Sequence, residues 1–384
     1  MEHNKKIITY VVGNGFDIGV LTKLGKDYKT SYQEFYDYLT YFLKDKQKNS
    51  IYQKIIKDKQ GNDYLWSDYE LLLENIVLEK KKEIKEALND EKKEEIYQSF
   101  MKNWEEIQYK FSDFLNFVIT PDTLMEVSNL KGLSNLEKCI GDLSKEEFDK
   151  LKFKNLPDNY DLIQYNILNF NYSTLADNYF FHLHDPHPYK NSSNNSFFYY
   201  DPKGYHSSKN DRKYLKTKYK LYHPHGQLSI PASILFGMSY DNQKYKSSTQ
   251  DNSRYFNNYE EDIVKKMDKL YWCDSKYEII EEINSTSLFI IFGHSIGKSD
   301  EWWWKKIMTV LARDESELII YEYHPEGVDN IDKSELKNRF LTYIDSSFNE
   351  FEKRTIEDNI YVIHFDDKEN TLDLTFNFDI KSIN

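Results

Sequence analysis

Residues able to do chemistry follow four strand-like apolar segments of this 384-residue chain. Glycine turns let a ligand approach backbone amides, an asparagine amide can orient a water or a hydroxyl, and a histidine can transfer a proton. Because the loops after parallel strands meet at one edge of a sheet, the sequence predicts a single polar site built from these segments. The candidate residues are Gly13, Asn14, Gly15, Phe16 and Asp17 after the first segment, Asn171 and Tyr172 after the second, His225 and Gly226 after the third, and Gly293, His294, Ser295 and Asp300 after the fourth.

The first apolar segment ends in the turn GNGFD. A dinucleotide-binding fingerprint would place a third glycine at the position of Ile18, and the turn lacks the GK[ST] of a P-loop. The glycines therefore leave two alternatives open, a nucleotide-binding turn and a plain tight turn. A pyrophosphate would repel a carboxylate, so Asp17 is predicted to hold a ribose hydroxyl or, preferably, to tie down neighbouring backbone amides.

The segment GHSIG matches the G-x-S-x-G pattern of serine hydrolases, and it lies between a predicted strand and a predicted helix. Ser295 would then be the nucleophile, with Glu322 or Asp329 as the acid and His364 as the base. A nucleophile elbow places its serine at the start of the helix, whereas the helix-capping signal here begins four residues later, at Ser299. A serine hydrolase is therefore the alternative interpretation of this segment.

The histidines of the sequence H-P-H, His223 and His225, could form a metal site together with His294 and Asp300. The proline between them and the lack of a carboxylate-rich cluster disfavour this arrangement. The chain has two cysteines, and neither has zinc-like spacing to a second cysteine or a histidine. The sequence therefore predicts no metal site, and ordinary hydrogen-bonded histidines instead.

Apolar segments typical of strands alternate with amphipathic helical segments along the chain. This alternation predicts an α/β fold, a doubly wound and mostly parallel sheet of the Rossmann-like kind. The predicted strands are residues 7–12, 162–170, 233–237, 287–293, 317–324 and 359–365, and helices are predicted near 32–43, 299–314 and 333–351.

A long stretch from about residue 64 to residue 117 contains many charged helix formers and no proline. Its interleaved acidic and basic residues predict the solvated faces of antiparallel helices. The segment WSDYE, which opens this stretch, carries carboxylates that could face a cleft. The predicted organisation is an α/β nucleotide-binding core over 1–45 and 160–384, interrupted by a helical insertion over 46–159.

The formal net charge of −13 disfavours nucleic acid as a partner, because a phosphate backbone would be repelled. A basic tract over 209–223 alternates lysine or arginine with tyrosine, and is interpreted as a solvated hairpin or loop rather than a base-stacking surface. No apolar segment approaches the ~20 residues needed to cross a bilayer, and the first residues lack a signal-peptide pattern. The expected location is the cytoplasm, with no membrane association.

The ordered motifs GNGFD, TSYQEF, WSDYE, FNYS, HGQL, ILFG and GHSIGKSD resemble those of the AbiH family of bacterial abortive phage-infection proteins. The resemblance extends from residue 7 to at least residue 300. It implies a role in antiphage defence, through a response that halts the infected cell. Since an unprovoked response would kill the host, the resemblance also implies latency and a phage-derived trigger, and a homo-oligomer is a further expected partner state.

A second resemblance concerns the order of a glycine turn, an N-Y pair after a strand, an H-G pair and a G-x-S turn, which is similar to that of sirtuin-like NAD-binding domains. It implies a nucleotide small molecule, NAD, as substrate or ligand. Gly13 and Gly15 would approach its pyrophosphate, and Gly293 and Ser295 would hold its adenosine side.

The sirtuin-like resemblance also implies catalytic roles for two residues. Asn171 would position the attacking water or the nicotinamide ribose, and His225 would act as the base. Cleavage of a nicotinamide glycosidic bond needs positioning, a hydrogen-bonding amide and a nearby base, without a metal. The chain lacks the zinc-binding cysteines of protein deacylases, so NAD hydrolysis is expected rather than deacylation; a nucleotide or phage-component sensor that acts through a partner without turnover is the non-enzymatic alternative.

Overall fold

In a computed structural model, the chain folds around a seven-stranded sheet with helices packed on both faces. The structure describes residues 5–42, 49–59, 66–128, 142–153, 162–180, 196–198, 214–235, 259–267, 277–325, 327–328, 332 and 334–366.

The strands of the sheet come from widely separated parts of the chain. They are β1 (Lys5–Val12), β2 (Leu162–Asn169), β3 (Ser196–Phe198), β4 (Tyr214–Tyr222), β5 (Leu288–Phe292), β6 (Glu317–Tyr323) and β7 (Ile360–Phe365). Their order across the sheet is β3-β4-β2-β1-β5-β6-β7, and only the edge strand β3 is antiparallel to its neighbour. The six parallel strands follow the Rossmann order, with a reversal at β1. The predicted doubly wound α/β fold is confirmed.

Helices connect the strands and cover the sheet. Those in the described parts of the chain are α1 (Asn14–Lys23), α2 (Tyr32–Phe42), α3 (Ser50–Lys59), α4 (Trp66–Glu86), α5 (Asp90–Val118), α6 (Pro121–Ser128), α7 (Lys145–Lys150), α8 (Leu175–Phe180), α9 (Tyr259–Lys266), α10 (Tyr277–Asn284), α11 (Glu301–Leu311), α12 (Glu335–Leu341) and α13 (Glu350–Asp358). None of them combines the length and the apolar character that a membrane-spanning helix requires.

The central strand β1 is buried on both faces, as parallel strands covered by helices are. Alternate side chains enter two cores: Ile8 and Tyr10 pack on one face, and Val11 packs on the other. Helices α1 to α9 contribute to the first core, whereas α10 to α13 contribute to the second. The sheet therefore separates helices α1 to α9 from helices α10 to α13.

Helices α3 to α7 lie within the range predicted for the helical insertion, and aromatic side chains join them to the rest of the first core. Phe35 of α2 packs edge-on against Phe111 of α5, with ring centroids 4.8 Å apart, and it also contacts Phe114 at 5.4 Å. Aromatic pairs of this kind add to the free energy gained by burying the rings. The start of α2 is set by Ser31, whose hydroxyl accepts a hydrogen bond from the backbone N–H of Glu34 at 3.3 Å.

The strand predicted at residues 233–237 is wrong where the structure describes it. Residues 231–233 form a 3-10 turn and residues 234–235 lie outside any strand, while 236–237 fall outside the described residues. The strand of this region is β4, which lies within the basic tract 209–223, for which the sequence predicts a solvated hairpin or loop. Its residue Lys220 is neutralised by Glu282 of α10, with Nζ 2.5 Å from Oε1.

The single helix predicted over 333–351 is also wrong. Helix α12 ends at Leu341, and α13 begins only at Glu350. Asn349 caps α13 through hydrogen bonds to its side chain from the backbone N–H groups of Phe351 and Glu352, both at 3.0 Å. This capping box starts a second helix where the apolar periodicity alone predicts a continuous one.

Candidate functional site

The GNG turn and the loop after β5 pack backbone against backbone. The N–H of Gly13 donates to the carbonyl of Phe292 at 2.9 Å, and the N–H of Gly15 donates to that of Gly293 at 2.7 Å. A Cβ at Gly13 would lie 2.6 Å from the Gly293 oxygen, and Gly293 itself has a φ of +65°. Only glycine fits this approach, so the turn's first task is to lock two loops together.

Asp17, on the first turns of α1, is completely buried beneath this contact. Its carboxylate accepts hydrogen bonds from Ser173 Oγ at 2.5 Å and from Asn171 Nδ2 at 2.8 Å. Burial raises the pKa of Asp17 to about 7, and the two hydrogen bonds limit the rise. The predicted tying role is present, although its partners are side chains after β2 rather than backbone amides.

The side chain of Asn171 has a fixed orientation. Its Nδ2 donates both to Asp17 and to the carbonyl of Gly13 at 3.0 Å, and its backbone N–H donates to Asn169 Oδ1, also at 3.0 Å. Since both contacts of Nδ2 are to acceptors, the amide cannot be flipped without losing them. Within the described chain no group donates to the Oδ1 of Asn171, so this oxygen can accept a hydrogen bond from a ligand.

His225 and His294 lie on either side of one buried carboxylate, that of Asp300. His225 Nε2 is 2.8 Å from Asp300 Oδ1, and His294 Nε2 is 3.5 Å from Oδ2. His294 Nδ1 accepts a hydrogen bond from the backbone N–H of Ile296 at 3.1 Å, which places the proton of a neutral ring on Nε2, toward Asp300. A carboxylate that orients a histidine is the arrangement used in proton transfer.

The loop that carries His294 is strained. Ile296 has a φ of +53°, a conformation that costs free energy for a β-branched residue. Its side chain is buried in the second core, and its carbonyl accepts a hydrogen bond from Tyr343 Oη at 2.9 Å. These contacts hold the loop in place and, through the Ile296 N–H, fix the ring of His294.

The helical insertion supplies one wall of the site. Glu70 of α4 accepts a hydrogen bond from Ser299, the residue before Asp300. Gln108 of α5 donates to the carbonyl of Ile234 at 2.7 Å, and Ser112 donates to that of Leu228 at 2.9 Å. The segment that carries His225 is therefore clamped between the sheet and α5.

These residues surround a cavity of about 630 Å³ at the carboxyl ends of the strands, within the usual range for small-molecule sites. The structure brings eleven of the thirteen predicted site residues to its wall. They are Gly13, Asn14, Gly15, Asp17, Asn171, Tyr172, His225, Gly293, His294, Ser295 and Asp300. The other two have packing roles: Phe16 packs edge-on against Tyr179 at 5.3 Å, and Gly226, with a φ of +88°, leaves no space for a Cβ beside the backbone of Ser233.

The model of the family described as bacteriophage abortive infection AbiH matches residues 9–323. The chain belongs to the AbiH family. The match extends from β1 to the end of β6 and contains every predicted site residue. This AbiH protein is accordingly a phage abortive-infection protein, and a search of curated proteins finds no match to it.

Several residues of the AbiH cavity were not predicted from the sequence. Thr30, which exchanges hydrogen bonds with the side chain of Asn14, comes from the loop before α2, and the apolar residues Phe111 and Leu115 come from α5. Glu70 belongs to the WSDYE segment, whose carboxylates were noted as candidates for a cleft. The basic residues Lys23 and Arg339 also line the cavity. Both lie on helices and belong to no motif, so the sequence does not predict that they reach it.

Two alternative uses of the AbiH motifs are not assembled in the described residues. Ser295 is exposed, and its Oγ makes no hydrogen bond to a described histidine, so the serine–histidine contact of a hydrolase is not formed. His223 and His225 contact different carboxylates, since His223 Nε2 lies 3.1 Å from Asp177 and His225 faces Asp300. The H-P-H sequence therefore does not aim two imidazoles at one point.

Proposed function

We propose that this AbiH protein halts infected cells by binding NAD and hydrolysing it to nicotinamide and ADP-ribose. The observation that carries the proposal is the buried pair His225–Asp300 beside the oriented amide of Asn171, in one cavity. That cavity lies where the order of the parallel strands reverses, which is the place where doubly wound sheets bind nucleotides. The sirtuin-like order of motifs supports the same assignment.

The reaction needs only groups that the cavity contains. The bond between ribose C1′ and the nicotinamide nitrogen breaks, and its electron pair stays with the leaving nicotinamide. A water oxygen forms the new bond to C1′, and its proton passes to His225, whose charge Asp300 stabilises. Asn171 Oδ1 accepts a hydrogen bond from this water or from a ribose hydroxyl, which holds it for attack.

Acidic and basic residues of the cavity suit different parts of the proposed ligand. The carboxylate of Asp300 lies beside His225 and His294, so the electron-poor nicotinamide ribose fits there. Lys23 and Arg339 are the cations of the lining that can meet a pyrophosphate. Asp17, with a pKa of about 7, is partly protonated at neutral pH and repels phosphate less than an ordinary aspartate would.

The first test is cleavage of NAD by the purified protein, measured as released nicotinamide by mass spectrometry. His225→Gln removes the base and is expected to lower the rate at least about 100-fold. Asn171→Ala is expected to have a similar effect. His223→Gln is the matched control: this histidine pairs with Asp177 outside the cavity lining, and its substitution should leave cleavage unchanged.

The same variants are then compared in cells challenged with phage. NAD should fall on infection with the natural chain and with His223→Gln, and remain constant with His225→Gln. Because Asn171→Ala also removes two internal hydrogen bonds, its thermal unfolding is measured in parallel. Unchanged NAD in infected cells that remain protected would reject the proposal. Loss of protection in Ser295→Ala would then favour the hydrolase, whereas nucleotide binding without turnover would favour the sensor.

A further inference from the structure

A cluster of one carboxylate and two imidazoles lies at the ends of β6 and β7, apart from the pair His225–Asp300. Glu322 and His364 are register partners in these parallel strands, so their side chains project from the same face of the sheet. His324 follows Glu322 by two residues, and its backbone N–H donates to Phe365 at 2.9 Å, which continues the pairing. The strand geometry therefore places all three side chains together.

The three side-chain atoms form a compact triangle. His324 Nε2 lies 2.9 Å from His364 Nδ1 and 3.4 Å from Glu322 Oε2, and His364 Nδ1 lies 3.2 Å from that same oxygen. Ligands about 2.0–2.1 Å from a metal ion are themselves about 2.8–3.0 Å apart in octahedral geometry and about 3.3–3.4 Å apart in tetrahedral geometry. The observed triangle has the size of one face of such a coordination sphere.

We propose that Glu322, His324 and His364 bind a divalent first-row transition metal ion, with zinc as the best-fitting member of the class. Two imidazole nitrogens and one carboxylate oxygen are a donor set that such ions prefer over magnesium or calcium. Three protein ligands leave at least one coordination position for water or for a ligand. The sequence did not predict this site because its ligands are 40 residues apart and meet only through strand pairing.

The cluster lies beside the cavity, so a bound metal ion would change the charge of the cavity wall. Glu322 lines the cavity, whereas neither imidazole belongs to the lining. Five acids and two strong bases contribute to that wall: Asp17, Glu70, Asp300, Glu322 and Asp366, against Lys23 and Arg339. A divalent cation at Glu322 would offset part of this negative charge and favour an anionic ligand. The inference rests on the triangle itself and does not depend on NAD hydrolysis.

The test is titration of the metal-free full-length protein with Zn²⁺ alone, followed by isothermal calorimetry and by metal analysis after gel filtration. The natural chain is expected to bind Zn²⁺ at this site, and His324→Gln or His364→Gln to weaken that binding at least about 100-fold. His223→Gln again serves as the control, because this histidine lies beside Asp177 and is not part of the triangle. Its affinity for Zn²⁺ should equal that of the natural chain.

Thermal unfolding with and without Zn²⁺ shows whether each variant folds, and Glu322→Gln provides a third variant of nearly unchanged size. A rise in melting temperature with Zn²⁺ for the natural chain and the control, but not for the three ligand variants, supports the site. Failure of the natural chain to bind Zn²⁺, or equal binding by the ligand variants, overturns it. NAD cleavage is measured separately, so failure of the metal-binding test and failure of the proposed hydrolysis are distinguishable.

Discussion

Asp17 shows how a single buried acid can serve a site at a cost in stability. The carboxylate lies wholly inside the protein, held by Ser173 and Asn171, and burial raises its pKa to about 7. An acid that is protonated in the folded chain but ionised in the unfolded chain makes stability depend on pH. Such penalties are common at functional sites, where activity rather than stability is selected.

Asp17→Asn is expected to stabilise the protein at alkaline pH. Because the folded pKa of about 7 lies above the ordinary value of 3.8, this group favours folding most at low pH, and the contribution is lost as the pH rises through 7. Asparagine does not ionise. The free energy of unfolding of the variant, relative to that of the natural chain, should therefore rise by about 3 kcal/mol from pH 5 to pH 8. Urea unfolding at both pH values measures this difference.

A gain that is the same at pH 5 and pH 8 would show that the carboxyl group of Asp17 does not titrate in this range. NAD cleavage by the same variant separates stability from activity. If the ionised form orients Asn171 for catalysis, cleavage decreases although the fold is more stable.

The sequence could predict most individual residues of the site, because polar side chains after apolar segments mark the carboxyl edge of a parallel sheet. Asn171 and His225 reach the cavity on that rule. The role of Phe16 could not be predicted in this way, since its position in the turn does not show that α1 directs its ring into the core. Glu322 and His364 were noted for a hydrolase, but their partner His324 was not.

At the scale of elements, β4 is a strand that was not predicted from the sequence because it contains many charged residues. Its sequence alternates lysine with threonine, tyrosine or leucine, which has the period of a strand but the composition of a loop. Leu221 and Tyr219 pack on the first core, and Lys220 faces the acidic side chains of α10. The two-residue period is visible in the sequence. The acidic side chains of α10 that pair with Lys220 are identified only by the fold.

The pair Lys220–Glu282 should contribute to the stability of this edge of the sheet. Burial acts to raise the pKa of Glu282, but hydrogen bonds from Lys220 and Asn166 outweigh it and hold the pKa below its usual value. Lys220→Met leaves a buried carboxylate with fewer partners, and is expected to lower the free energy of unfolding at pH 7 by about 2–3 kcal/mol. Chemical denaturation of the natural chain and the variant measures the loss.

The pH dependence of the stability lost in Lys220→Met shows whether the loss comes from the ionised carboxylate of Glu282. Since the folded pKa of Glu282 is lowered, the stabilisation is present above the ordinary value of 4.5 and disappears as the pH falls through the folded value. Lys218→Met is the matched control, because Lys218 lies two residues earlier on the same face and is exposed. A loss of equal size in the control, or one that persists at pH 3, would contradict the role assigned to the pair.

At the scale of the whole molecule, the sheet and the helical insertion share one site. The Rossmann order of the strands could be predicted in outline from alternating strands and helices. The way the insertion folds back could not, because contacts such as Gln108 to Ile234 join residues 126 positions apart without any local signal. The insertion thus determines how firmly the His225 segment is held, although the chemistry resides in the sheet.

Gln108→Leu tests this coupling without altering a residue of the cavity wall. The variant keeps nearly the same volume but leaves the Ile234 carbonyl without its buried donor, which should cost about 1–2 kcal/mol. The N–H of Leu235 donates to the His225 carbonyl at 2.9 Å, so hydrogen exchange at Leu235 is expected to become faster as the segment loosens.

Phage protection, measured as the efficiency of plaquing, should weaken together with that exchange rate. Gln98→Leu makes the same substitution on the exposed side of α5, where Gln98 donates a hydrogen bond to Glu94, and it should change neither quantity. Faster exchange with full protection would mean that the position of His225 does not limit the response. Protection lost with unchanged exchange would instead indicate that α5 acts through a surface of its own, since the clamp on the His225 segment would then be intact.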